Sequence, residues 1–140
     1  MSVLKEIQDY IASLPEPKRS EMLELHEMLM QLNAGETLWF LDGKDASGKV
    51  IANPNIGYGT QTMQYAGGKT REFYQIGLSA NQTGISVYIM GLLDKNFLKV
   101  NYGTSIGKAS VTGYCIKFKT LKDISLEVLK QVFHTGLEDR

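Results

Sequence analysis

The sequence predicts an α+β protein of two layers, a mainly antiparallel sheet covered on one face by an N-terminal helix pair and a C-terminal helix. Three observations lead there. Apolar residues recur at intervals of three and four at both ends of the chain and alternate with polar ones through the middle. Glycine- and asparagine-rich turns join the alternating segments directly, as hairpins require. A parallel sheet would need crossover helices between its strands, and only Leu92 to Tyr102 offers one.

The elements follow in order. Val3, Leu4, Ile7, Tyr10, Ile11 and Leu14 form one helical stripe. Ser2 is placed to cap its start, and Pro15 ends it because proline has no N–H and restricts the residue before it. A second helix runs from about Pro17 to Leu32, with Met22, Leu25, Leu29 and Leu32 at an a/d spacing. The short Pro15–Pro17 elbow makes the two helices neighbours. After Asn33-Ala34-Gly35 the period becomes alternating. Thr37 to Leu41 reads as a strand, Asp42 to Gly48 as a loop, Lys49 to Ala52 as a short returning strand and Thr60 to Tyr65 as another, ending at the Ala66-Gly67-Gly68-Lys69 turn. Glu72 to Ser79 places Tyr74, Ile76 and Leu78 on one face, and Ile85 to Met90 does the same for Ile85, Val87 and Ile89, with Asn81-Gln82-Thr83-Gly84 as the hairpin loop. Leu93, Phe97 and Val100 suit a helical turn or two closed by Gly103. Tyr114 to Phe118 is a strand with Tyr114, Ile116 and Phe118 inward. Ile124 to Thr135 is a helix carrying Leu129, Val132 and Phe133, capped by Asp123 or Ser125 and ended by Gly136.

With 140 residues, 43% of them hydrophobic, the chain is sized for one domain, residues 1–140, with a real core. Fifteen basic residues balance fifteen acidic ones, which argues against a general nucleic-acid binder. A single cysteine excludes an internal disulfide, a cysteine-rich zinc site and a CxxC redox pair. Lys5, Glu6 and Asp9 interrupt what a secretory signal would need, and no run reaches the roughly 18 apolar residues of a membrane span. The expected setting is the cytoplasm. The neutral total hides a segregation: Met1 to Asp45 carries a balance of −5, whereas Lys95 to Lys122 holds 6 lysines and no acid. Such a dipole either orients a partner, favours head-to-tail self-contact in a homodimer, or reflects lysines decorating strand edges.

Catalytic motifs are incomplete. Gly103-Thr104-Ser105-Ile106-Gly107-Lys108-Ala109 is one residue short of a phosphate-binding loop and lacks the hydroxyl after its lysine; Gly57-Tyr58-Gly59 lacks the third glycine of a dinucleotide fingerprint. Cys115 has lysines near it in sequence but no histidine to act as base, and His26 and His134 fall in no metal-binding pair. Glu21, Glu24 and Glu27 recur every third residue on the second helix, a ridge that could attract iron or a hard cation. The central stretch concentrates Trp39, Phe40, Tyr58, Tyr65, Phe73, Tyr74 and Tyr88 with Gly57, Gly59, Gly67, Gly68 and Gly77. Tyrosines offer apolar walls with polar tips, so this cluster is either a pocket or a core with tyrosine at its rim.

Several segments carry a resemblance. Asn55-Ile56-Gly57-Tyr58-Gly59, Gly68, Ile76-Gly77-Leu78-Ser79, Ile85-Ser86-Val87-Tyr88-Ile89, Gly107-Lys108 and Cys115 through Ile124 occur in the order seen in the YdhG-like domain-of-unknown-function family, and Pro15, Lys18, Arg19 and Trp39 look like its N-terminal part. The resemblance implies a compact α+β domain of the bacterial cytoplasm, mostly without assigned biochemistry, with distant relatives described as frataxin-like iron chaperones. The chain departs from the pattern at Ala80-Asn81-Gln82, where many members carry a basic pair, and at Phe40, where a glycine is usual.

Two expectations follow. One is a non-catalytic domain, without a cofactor, that binds a small molecule or a protein, with Trp39, Gly57, Tyr58, Gly59, Ser86 and Tyr88 as ligand-binding residues. The alternative is an iron carrier using Glu21, Glu24 and Glu27 as ligands. An enzyme built on Cys115 ranks behind both.

Overall fold

The computed structural model describes residues 2–33, 37–90, 92 and 94–138. Helix α1 spans Val3–Ala12, with Ser2 Oγ accepting from the Lys5 amide at 3.1 Å and Ile7 and Ile11 buried. Helix α2 spans Lys18–Asn33 and buries Met22, Leu25 and Leu29 as their spacing predicts, together with His26 and Asn33. Among the described residues eight strands follow: β1 (Leu38–Leu41), β2 (Asn55–Tyr58), β3 (Gln61–Gln64), β4 (Thr70–Phe73), β5 (Ile76–Asn81), β6 (Gly84–Ile89) and, after helix α3 (Phe97–Tyr102), β7 (Ser110–Thr112) and β8 (Cys115–Phe118). Helix α4 (Leu126–Leu137) ends the fold; Ser125 Oγ caps it by accepting from the Val128 amide at 3.2 Å.

Six strands form one antiparallel sheet in the order β1-β2-β5-β6-β8-β7, and β3 and β4 pair as a separate ribbon. Alternation gives the sheet two unlike faces. One bears Phe40, Ile56, Leu78, Val87, Ile116 and Val111 along a single row, with Tyr58, Ile76 and Ile89 along the next. Both terminal helical segments pack on this face. Tyr10 of α1 meets Phe40 with centroids 5.7 Å apart, α2 lies over β2 and β6, and Gly136 of α4 sits against Ile76 and Ile89. Each fully buried Ile, Leu or Phe there stabilises the fold by roughly 1.5–3 kcal/mol relative to exposure. The α+β architecture with helices on one sheet face is therefore as the periodicity predicts. Among the described residues, no helix is long and apolar enough to cross a membrane.

Several local expectations change. Glu72 to Ser79 is not one strand. The chain leaves the β3–β4 ribbon at Phe73 and enters the main sheet at Ile76, so Tyr74 lies on the face opposite Ile76 and Leu78. Asn55–Tyr58, which the alternation does not mark as a strand, is one inside the main sheet, while Lys49 to Ala52 keeps a single bridge, Val50 to Lys44. Tyr114 is exposed in the β7–β8 turn, and β7 itself is a three-residue edge strand too short to show a period. Val100 projects to solvent at 78% exposure, whereas the expected partner Leu93 lies outside the described residues, as do Ala34 and Gly35. Gly136 is inside α4, not past its end: a Cβ there would stand 3.0 Å from Ile76 and Ile89.

Candidate functional site

The face that no helix covers carries one continuous rung across the whole sheet: Trp39, Gly57, Gly77, Tyr88, Cys115 and Thr112 are successive cross-strand partners. Its two glycines create a slot, and the Tyr74 ring fills it. A Cβ on Gly57 would lie 2.6 Å from that ring, and one on Gly77 would lie 2.6 Å from its Cε1, Cζ and hydroxyl. Glycine is required at both positions for this close approach. Phe73 stacks on Tyr74 at 4.1 Å, Trp39 meets Phe73 edge-on at 6.0 Å, and the Arg71 guanidinium lies 5.2 Å from the Phe73 ring centre. Burial pushes the Tyr74 hydroxyl up to about 12, and the neighbouring Tyr88 and Cys115 add to the shift. Trp39 and Tyr88 remain half-buried at the margins of this aromatic band. Trp39 Nε1 donates to the Gly59 carbonyl at 2.9 Å, which fixes the indole; no described residue hydrogen-bonds the Tyr88 hydroxyl.

The structure thus brings Trp39, Gly57, Ser86 and Tyr88 to one face. Tyr58 is not with them. It points under the helices, 0% exposed, and its hydroxyl lies 2.6 Å from His26 Nδ1. Burial raises the Tyr58 hydroxyl well above its ordinary value and lowers the His26 imidazole, so burial favours the uncharged form of both partners of this hydrogen bond. Tyr58 is one residue from the glycine slot, and strand alternation alone sends it to the other side. Gly59 contributes through its carbonyl. Ser86 is buried and accepts from Asn81 Nδ2 at 2.9 Å.

The other candidates do not assemble chemistry. Burial pushes the Cys115 thiol up, with Lys117 opposing the shift. Both histidines belong to the helical layer, His26 bound to Tyr58 and His134 exposed on α4, so no imidazole is positioned to take the thiol proton. The acidic ridge does not converge either. Glu21 Oε2 accepts from the Leu121 amide at 2.9 Å, while Glu24 and Glu27 are exposed. Among the described residues, no three His, Cys, Asp or Glu side chains stand close enough to hold one metal ion. Glu21 Oε2, bound to the Leu121 amide, joins α2 to the 3₁₀ turn Leu121–Asp123.

A second feature escapes motif reading. An open cleft of about 370 Å³ lies where the β5–β6 turn meets β8 and the segment entering β7, lined by Lys108, Lys117 and Lys119, with Thr83 and Ser110 beside Ile85 and Phe118. No carboxylate lines it. The sequence signal for it is the acid-free lysine run, of which Lys108 before β7, Lys117 in β8 and Lys119 just after it meet only in the fold.

Comparison of the chain with family models, curated proteins and solved structures returns no match.

Proposed function

We propose that this chain is a non-catalytic cytoplasmic binding domain that takes a small molecule on the helix-free face of its sheet, at the margin of the band formed by Trp39, Phe73, Tyr74 and Tyr88. The observation that carries this reading is the half-buried aromatic rung whose Tyr88 hydroxyl has no hydrogen-bond partner among the described residues. Aromatic walls with a few polar tips suit the capture of a small organic molecule. The absence of a nucleophile–base pair around Cys115, whose thiol is raised and not activated, favours binding over catalysis. A lone, unpaired cysteine fits a reducing compartment. The resemblance to the YdhG-like family belongs to this same proposal and supplies no chemistry of its own.

The sole tryptophan, Trp39, reports directly on this face. A thermal-shift screen with a metabolite library, followed by titration of Trp39 emission, is expected to yield compounds that raise the melting temperature and perturb the indole. Tyr88→Phe should keep stability within about 0.5 kcal/mol and weaken those compounds. A screen without any shift, or compounds bound equally by Tyr88→Phe and Trp39→Phe, would overturn the assignment.

A further inference from the structure

The lysine cleft has the features of a binding site of its own, and it is independent of the aromatic band. Its construction is specific. Lys117 leaves β8 on the side opposite Ile116 and Phe118, Lys119 follows directly after the strand, and Lys108 enters from the segment before β7. The opposite wall is the β5–β6 turn. That turn is held by Asn81, whose Oδ1 accepts from the Thr83 amide at 3.0 Å and from the Thr83 hydroxyl at 2.9 Å, and whose carbonyl accepts from Lys18 Nζ of α2. Ile85 and Phe118, whose side chains turn into the core, fix the backbone that borders the cleft.

Three lysines line one concavity that no carboxylate lines. None of the three forms a salt bridge within the described residues, so each ammonium is available to a ligand. We infer that this cleft binds a small phosphorylated molecule, its phosphate against Lys108, Lys117 and Lys119 and the Ser110 hydroxyl. Ammonium point charges suit a phosphate; planar bidentate recognition of a carboxylate is the work of arginine, and none lines the cleft. The volume is at the lower end of small-molecule sites and exceeds what an inorganic ion needs.

The test uses the full chain with inorganic pyrophosphate and a sugar phosphate as probes, followed by amide chemical shifts. Shifts are expected to cluster at Thr83, Ser110, Lys117 and Lys119, and binding should weaken as salt rises from about 10 to about 150 mM. The sugar phosphate should add shifts at Ile85 and Phe118. Each of Lys108→Gln, Lys117→Gln and Lys119→Gln should weaken binding by about tenfold, the worth of one charge-assisted hydrogen bond; Lys130→Gln, on exposed α4 surface, should leave it unchanged. All four positions are exposed, so these variants should fold. Shifts spread over every exposed lysine, or a Lys117→Gln protein that binds as the parent does, would overturn the site. A short single-stranded DNA that perturbs the same amides at lower concentration than either probe would overturn the small-molecule assignment.

Discussion

Gly77→Ala tests the glycine slot directly. The new methyl would stand 2.6 Å from Cε1, Cζ and the hydroxyl of Tyr74, atoms at the rigid end of a ring that is only 5% exposed. Backbone strain does not enter, because Gly77 is not among the glycines with positive φ. Either the ring or the strand must move. Expelling the ring forfeits its burial, roughly 1.5–3 kcal/mol, and its stack on Phe73, roughly 0.5–1.5 kcal/mol. Replacing glycine in a strand returns about 0.5–1 kcal/mol. The net expectation is a loss of about 2–3 kcal/mol, or a melting temperature lower by roughly 6–15 °C for a chain of this size. Urea denaturation of Gly77→Ala, Tyr74→Ala and the double variant measures the coupling. Removing the ring removes the clash, so the double variant should cost at least about 1 kcal/mol less than the sum of the single ones. A second readout is independent of stability: tyrosinate absorbance should show one tyrosine titrating up to about 12 in the parent, falling towards 10 in Gly77→Ala as Tyr74 reaches water. Additive costs, or an unmoved alkaline titration, would refute the packing proposed for Tyr74.

Two further outcomes are expected. His26 is held neutral by burial against Tyr58, with its native value below the 6.5 of the unfolded chain. As pH falls below 6.5, the unfolded chain therefore takes up a proton that the native state resists. Stability should be full above that value, decline as pH drops towards the native one, and lose nothing more from this group below it. His26→Gln should flatten that part of the urea-midpoint profile, and an unchanged profile would remove His26 as its cause. Cys115, half-buried with its thiol raised, should react with a disulfide reagent more slowly than in the urea-unfolded chain. Lys117→Gln should slow it further by removing the ammonium that lowers the thiol, and a thiol faster than the unfolded one would contradict the buried site.

The terminal helices were legible because their apolar stripes are long: Ile7 and Ile11, Met22 through Leu29, and Leu129 through Phe133 all bury as their spacing requires. The β5–β6 hairpin was equally clear, since six residues of alternation on each side of a two-residue turn specify both face and register. What failed was short or broken. β7 has three residues, β2 four with a glycine among them, and the strand containing Tyr74 is interrupted at Gln75 by a change of partner that periodicity cannot register. That interruption moves Tyr74 across the sheet. The site residues were legible only in part for the same reason: Trp39, Gly57 and Tyr88 share a face because their strands pair in that register, while Tyr58, inside the same glycine motif, faces the helices.

The division of labour between the two sheet faces follows from that arrangement. The face under the helices is filled by aliphatic rows and the Tyr58–His26 pair. On the other face the aromatic rung continues through Cys115 to Thr112, and the next rung on that side runs Ser79, Ser86, Lys117 and Ser110. Two residues along a strand separate the rungs, about 7 Å. The aromatic margin and the lysine cleft are therefore neighbours on one surface, although they draw on different parts of the sequence and different physical forces. Salt weakens contacts to exposed lysines and leaves aromatic burial largely intact. Ionic strength consequently separates the two sites experimentally: a compound held by Tyr88 and Trp39 keeps its affinity in salt that displaces a phosphate from Lys117.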